Sequence, residues 1–170
     1  IENASEFISC VLEQNLDIAA TRKNYVDYLA HRPRVEKIGE HGLFTDEGEP
    51  VVLGQVQNQV ADHKGIVWTH VISLRREDAA RLGYDSAVQW MALLRSKRAM
   101  LCKHMKIDSA NLKWYAAFHN ESHHPHVHLL VYSVKDGEGY LTKQSIEAMR
   151  SELAHDIFRQ DFANIYEEQA

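Results

Sequence analysis

The chain has 170 residues, of which 45% are hydrophobic and 25% are charged, and this composition is typical of one globular domain rather than of a disordered segment. No run of roughly 18 apolar residues is present, which argues against a membrane helix. The opening residues, IENASEFISCVLEQ, lack the basic and apolar regions of a secretory signal. Cys10 and Cys102 lie far apart, which argues against a disulfide framework or a thiolate metal site and predicts a cytoplasmic protein. The length predicts a single domain over residues 1–170, and because the sequence begins at Ile1 without a Met, we expect this domain to be trimmed.

The net charge of −5 gives no overall argument for a nucleic-acid partner, but the charges are unevenly distributed. Residues 21–37 and residues 91–106 each contain five Lys and Arg residues, whereas the last 24 residues contain six acidic residues and two basic ones. Two interpretations stay open: a basic face that contacts phosphates, or helix faces that are merely solvated.

The first half of the chain contains one strong strand pattern. Residues 5–31 place apolar side chains at helical spacing, which predicts a largely helical segment. Residues 31–50 contain three Gly and two Pro and predict an ordered loop or short hairpin, whereas residues 51–62 are ambiguous. The β-branched and aromatic residues of IVWTHVISL, residues 66–74, predict a strand.

The second half predicts a hairpin between two helical regions. After a short helical turn and a break, a long helix is expected, with Asp85 or Ser86 as its N-cap. Residues 112–120 and 126–134 predict two strands joined by a polar turn, hence an antiparallel hairpin, and residues 142–166 predict a closing helix. This order predicts an α+β fold, in which helices pack mainly on one face of an antiparallel β-sheet.

Histidine occurs 11 times, and the richest cluster lies in this hairpin. His126 and His128 are two residues apart on a predicted strand, so both side chains point to one face. His119 ends the preceding strand, and the return of the hairpin brings it beside that pair. Three neutral imidazoles from two strands predict a divalent-metal site with open coordination positions. The alternative is a chance cluster of histidines on a sheet surface.

The segment HNESHHPHVH, residues 119–128, closely resembles the third motif of conjugative relaxases of the MobP type, which belong to the HUH (His-hydrophobic-His) endonucleases. The family pattern is His-x-Asp-x-x-His-Pro-His-x-His, and Glu121 stands here where Asp is usual. WTHVISLRREDAARLGY, residues 68–84, looks like the family's middle motif, and KNYVDYLAHR, residues 23–32, looks like the motif that supplies the nucleophilic tyrosine. The resemblance covers roughly residues 24–134.

The resemblance implies a relaxase with an HUH-endonuclease-like palm, which nicks one DNA strand at a transfer origin and stays attached to its 5′ end. It implies His119, His126 and His128 as the ligands of Mg²⁺ or Mn²⁺, with Zn²⁺ as a substitute in a crystal. The carboxylate of Glu121 is expected to orient a ligand imidazole, with an exposed turn residue as the alternative.

Tyr25 and Tyr28 lie three residues apart, on roughly one face of the predicted helix. Tyr28, within YLAHR, is the better match to the family motif, so we predict it as the nucleophile and Tyr25 as an auxiliary or structural neighbour. Attack on a metal-bound phosphate requires this helix to lie across the sheet face that carries His126 and His128. A tyrosine nucleophile conserves the phosphodiester energy in a phosphotyrosine linkage.

The implied partner is single-stranded DNA at the transfer origin of a plasmid or an integrative conjugative element, together with accessory relaxosome and coupling proteins. Candidate phosphate contacts form two clusters, one beside the tyrosines and one on the long helix: Lys23, Arg32 and Arg34, and Arg95, Lys97 and Arg98.

Three other interpretations stay open. HPHVHLL also fits the pattern of histidine-triad nucleotide hydrolases, in which the middle His attacks a nucleoside phosphate without a metal or a tyrosine. A catalytically silent DNA-binding or structural module of a mobile element is the second. Replication initiators of the HUH type share the metal site but place the tyrosine after the His motif, where Tyr166 would have to serve.

Overall fold

The computed structural model describes residues 9–12, 19–46, 50–159 and 161, and a four-stranded antiparallel sheet lies at its centre. The sheet consists of β1 (Ser9–Leu12), β2 (Val67–Ser73), β3 (Leu112–His119) and β4 (His126–Ser133). Their order across the sheet is β1-β2-β4-β3. The three predicted strands are confirmed as β2, β3 and β4, to within about a residue at each end.

The described residues form six helices: α1 (Ala19–His31), α2 (Leu53–Asp62), α3 (Arg76–Leu82), α4 (Ala87–Arg95), α5 (Arg98–Met105) and α6 (Lys143–Ile157). α1 confirms the second part of the helix predicted over residues 5–31, but the helical prediction for residues 9–12 is wrong, because this stretch pairs with β2 as β1. A short apolar run fits either periodicity, and strand pairing decides between them. The closing helix predicted over residues 142–166 is confirmed as far as Ile157, where α6 ends, and Tyr166 lies outside the described residues.

The single long helix predicted after the break is divided into α4 and α5. Ser96 ends α4 because its hydroxyl and its backbone N–H both donate to the carbonyl oxygen of Leu93, in competition with the regular helix pattern. Ser86 occupies the predicted N-cap position of α4, yet among the described residues its side chain makes no cap bond. The carboxylate of Glu36 accepts the hydrogen bond from the Ala87 N–H in its place.

Strand alternation divides the core into two layers. On one face of the sheet, Ile72, Phe118 and Val127 pack against α3, α4, α5 and α6. On the other face, Ala117 and Leu130 pack against α1 and α2. Four of the six described helices therefore lie on one face, which confirms the predicted α+β architecture.

The loop between α1 and α2 covers the outer edge of β3. Phe44 and Ala116 exchange two backbone hydrogen bonds of 2.8 and 2.9 Å, which satisfies backbone groups that an open edge would expose. The N–H of Gly42 donates to the carbonyl oxygen of Ala30 at 3.0 Å, and a Cβ at this glycine would clash with Cγ2 of Val35. The loop therefore fixes α1 relative to the end of β3, where the histidine cluster begins.

Candidate metal centre

The β3–β4 hairpin brings the three histidines together as the sequence predicts. His119 is the cross-strand partner of His126, and His128 follows two residues later on the same face of β4. The ring centroids lie 4.7 to 5.2 Å apart, and one nitrogen from each ring lies within 4.8 Å of the other two. This spacing allows three imidazoles to share one divalent ion.

Hydrogen bonds on the far side of two rings orient them for this role. The Nε2–H of His119 donates to the carbonyl oxygen of Leu29 at 3.1 Å, and the Nδ1–H of His126 donates to that of His124 at 3.0 Å. Because a carbonyl only accepts, each bond places the proton on that nitrogen and leaves a lone pair on the other one. The remaining nitrogen of His119, Nδ1, is buried and has no hydrogen-bond partner among the described residues, as a ligand atom would before an ion is bound. The donor set therefore fits a metal.

Burial keeps two of the three rings neutral. His119 is fully buried and His128 is 5% exposed, while His126 is half-buried and opens toward solvent. Desolvation lowers the pKa of His119 to about 4 and that of His128 to about 3, and the charge of Arg32 adds to both effects. Both imidazoles are thus neutral at pH 7, which is the form that binds metals.

Helix α1 crosses the sheet face that carries these histidines, as the tyrosine hypothesis requires. The hydroxyl of Tyr25 lies 3.4 Å from Nδ1 of His128, and the two rings meet edge to face. Tyr28 lies farther out with 47% of its surface exposed, and its ring stacks on that of Tyr25 at a centroid distance of 6.3 Å. Tyr25 therefore contacts the histidine cluster directly, whereas Tyr28 faces the solvent beside it.

Arg32 contacts Tyr28 and is linked through Glu121 to a second arginine, Arg34. The Arg32 guanidinium lies over the Tyr28 ring, 5.4 Å from its centroid. Glu121, which the sequence assigns to a ligand imidazole, lies between Arg32 at 3.8 Å and Arg34 at 3.6 Å. The His119 imidazole is instead oriented by a backbone group, the Leu29 carbonyl oxygen of α1. The site thus has positive charge next to the exposed tyrosine.

The remaining predicted phosphate contacts are divided between the two sides of the sheet. Lys23 is exposed on α1, on the same side as the histidines. The second cluster lies on α4 and α5, against the opposite face, and its side chains contact groups of the protein itself: Arg95 donates to the Thr45 carbonyl at 2.9 Å, Lys97 pairs with Asp156, and Arg98 pairs with Asp46. The two clusters therefore do not form one continuous surface.

No sequence pattern singles out Arg76, which follows β2 and contacts the turn between the ligand strands. Its guanidinium donates to Oδ1 of Asn120 at 2.7 Å and to the backbone carbonyls of Ser122 and Glu121. Arg76 lies in the middle motif, residues 68–84, which marks it as a candidate functional residue. Its position in that motif does not, however, predict a contact with the turn.

The fold and the histidine cluster define an α+β domain with a candidate divalent-metal centre next to a tyrosine-bearing helix. The family model of the MobL relaxases matches residues 11–170, and the chain belongs to this family. Neither a curated protein nor a solved structure matches the chain. Family membership assigns the chain a DNA relaxase role in mobilisation and supports this interpretation over a histidine-triad hydrolase. In the described part of the chain, no helix is long and apolar enough to cross a membrane.

Proposed function

We propose that this chain is a metal-dependent relaxase that nicks one DNA strand at a specific transfer origin by tyrosine transesterification and retains the strand as a 5′-phosphotyrosyl adduct. One observation carries the proposal: three imidazoles lie within 4.8 Å of one another, directly beside a helix that presents two tyrosines. The His-Val-His sequence of β4 also supports membership of the HUH endonucleases and of the MobP type.

The proposed ligands are His119, His126 and His128, and the proposed ion is Mg²⁺ or Mn²⁺. A bound divalent ion would supply Lewis acidity toward the scissile phosphate. Imidazole ligands carry no negative charge, so these side chains would leave the positive charge of a bound ion uncancelled. The half-buried His126 marks the side from which a phosphate can approach.

Tyr28 is the proposed nucleophile, because its ring is exposed to an incoming strand and the Arg32 guanidinium lies over it. In the reaction, the Tyr28 hydroxyl loses its proton to solvent as its oxygen bonds to phosphorus. The bond from phosphorus to the 3′ oxygen breaks, and that oxygen takes up one proton from solvent and leaves as a hydroxyl, so no net proton is gained or lost. Arg32 stabilises the negative charge that develops on the phosphate. Tyr25, whose hydroxyl contacts His128, holds that ligand ring in place.

Single-stranded DNA is the proposed substrate, and its phosphates would contact the α1 side through Lys23, Arg32 and Arg34. Glu121 holds Arg32 and Arg34 before DNA binds, so a phosphate would replace its carboxylate as their partner. We also propose that accessory relaxosome and coupling proteins assist the reaction and that it takes place in the cytoplasm, where the DNA substrate is found.

The proposal is tested by incubating the protein with labelled single-stranded oligonucleotides from the neighbouring transfer region and Mn²⁺ or Mg²⁺. A denaturing gel should show a shortened free product and a second labelled species attached to protein, and a chelator should abolish both. Binding of DNA without cleavage would instead indicate a catalytically silent DNA-binding module. Hydrolysis of a nucleotide without adduct formation would indicate a histidine-triad type of reaction.

A further inference from the structure

The turn that joins the two ligand strands has little packing of its own. It spans residues 120–125, and Ser122, His123 and His124 are exposed while Pro125 is buried. A turn whose side chains point to solvent is held mainly by hydrogen bonds, since it contributes little to the core. Its conformation nevertheless matters to the metal centre, because the chain leaves β3 at one ligand and enters β4 at another.

His126 depends on this turn more than the other two ligands do. His119 is anchored by the Leu29 carbonyl of α1, and His128 lies inside β4 with Tyr25 against it. His126 is the first residue of β4, and its Nδ1–H donates to the carbonyl oxygen of His124 within the turn itself. Movement of the turn would therefore rotate the His126 ring away from the position that a shared ion requires.

The segment that follows β2, residues 74–76, forms hydrogen bonds with this turn. The backbone N–H of Leu74 donates to the Pro125 carbonyl at 3.1 Å, and that of Arg76 donates to the His123 carbonyl at 2.9 Å. The Arg76 side chain adds bonds to Asn120 at 2.7 Å and to the carbonyls of Ser122 and Glu121. A planar guanidinium can reach several acceptors at fixed angles, which a lysine ammonium on a flexible stem does not reproduce.

We propose that Arg76 is a positioning residue: it fixes the turn of residues 120–125 and thereby holds His126 in metal-binding geometry. This inference rests on the proposed metal-dependent function, but the contact between Arg76 and the turn exists without a metal. It also gives the middle sequence motif a role, since Arg76, one of its three arginines, supports the turn within the histidine motif.

The first test measures Mn²⁺ affinity by calorimetry for the parent, Arg76→Ala, Arg76→Lys and a matched control, Arg81→Ala. Arg81 lies on the same short helix and pairs with Asp78 and Asp161 rather than with the turn. We expect Arg76→Ala to weaken Mn²⁺ binding about 10- to 100-fold, the range for loss of a group that orients a ligand. Arg76→Lys should resemble Arg76→Ala, and Arg81→Ala should bind as the parent does. Equal losses in Arg76→Ala and Arg81→Ala would overturn the inference, because they would indicate a general effect of α3.

The second test follows amide hydrogen exchange in the metal-free protein, so it remains decisive if the parent binds no Mn²⁺ and the proposed function fails. The amides of Asn120 and Glu121 donate to the carbonyls of Arg34 and His119, and both should exchange about tenfold faster in Arg76→Ala. Loss of the hydrogen bonds from the charged Arg76 guanidinium to Asn120 and Glu121 would make local opening of the turn easier. Amides of the central strand β4 should keep their parental rates. Unchanged exchange in the turn would contradict the proposed support by Arg76, whatever the metal affinity.

Discussion

The buried His119 donates its Nε2–H to the carbonyl oxygen of Leu29, so a candidate metal ligand on the sheet is tied directly to the helix that carries the tyrosines. Leu29 is the residue after Tyr28, and its own side chain is fully packed in the core below. The bond therefore fixes both the proton position on the imidazole and the distance between the histidine cluster and the proposed nucleophile.

Metal binding should depend on each of the three clustered histidines. Replacing His119, His126 or His128 by Ala removes one of three ligands, and we expect calorimetry to show severe loss of Mn²⁺ binding in each variant. His123→Ala is the matched control, because this histidine is exposed in the turn between the two strands that carry the proposed ligands. Unchanged metal stoichiometry in the triple Ala variant would refute the proposed site.

DNA affinity should respond to charge on the α1 side more than to charge on α4 and α5. Arg32→Gln should weaken single-stranded DNA binding and reduce the slope of log affinity against log salt by about 0.7, the value for one phosphate contact. Arg95→Gln should have little effect, because Arg95 already donates to the Thr45 carbonyl. Fluorescence anisotropy over a range of salt concentrations measures both. A larger loss of DNA affinity in Arg95→Gln than in Arg32→Gln would indicate that the DNA binds on the side of α4 and α5.

Arg34 combines a proposed DNA contact with an unfavourable backbone conformation. Its φ of 73° lies in the left-handed region, where a side chain costs about 1 kcal/mol relative to glycine. Arg34→Gly should therefore raise the free energy of unfolding by about this amount and weaken DNA binding at the same time. Urea denaturation and anisotropy test the two effects separately. A loss of stability would show that the Arg34 contact with Glu121 outweighs the backbone strain.

The burial of His70 predicts that the free energy of unfolding decreases in acid, independently of the metal centre. This histidine is 2% exposed, and it lines a small cavity whose other side chains are apolar apart from Lys97, which pairs with Asp156. Burial lowers the pKa of His70 to about 4, so between pH 6.5 and about 4 the unfolded chain binds a proton that the folded chain does not. Stability should fall as pH decreases through this window, with a contribution of up to about 1.4 kcal/mol per pH unit.

The control for this effect is His70→Leu, which keeps an apolar core and removes the titration. Urea denaturation in the presence of a chelator should show a shallower decline between pH 6.5 and pH 4 for His70→Leu than for the parent. Parallel pH profiles for the two proteins would mean that His70 does not titrate differently in the folded and unfolded states.

Features that depend on local pattern could be predicted from the sequence, and features that depend on docking could not. The register between His119 and His126 follows from strand alternation and a short turn, so the histidine cluster was predictable. β1 was not, because four residues carry too little periodicity to separate a strand from a helix. The contact between Tyr25 and His128 depends on how α1 docks on the sheet, which residue spacing does not determine.

The most direct test of the account is to identify the tyrosine that becomes attached to DNA. Covalent adduct formed with Mn²⁺ and an origin oligonucleotide should be digested with protease and nuclease, and mass spectrometry should locate the nucleotide remnant on Tyr28. Tyr28→Phe should lose the adduct but keep metal and DNA binding, while Tyr25→Phe, the matched control three residues away, should keep at least part of it. A remnant on Tyr25, with adduct lost in Tyr25→Phe and kept in Tyr28→Phe, would reverse the assignment. A remnant on neither tyrosine of α1 would contradict the account.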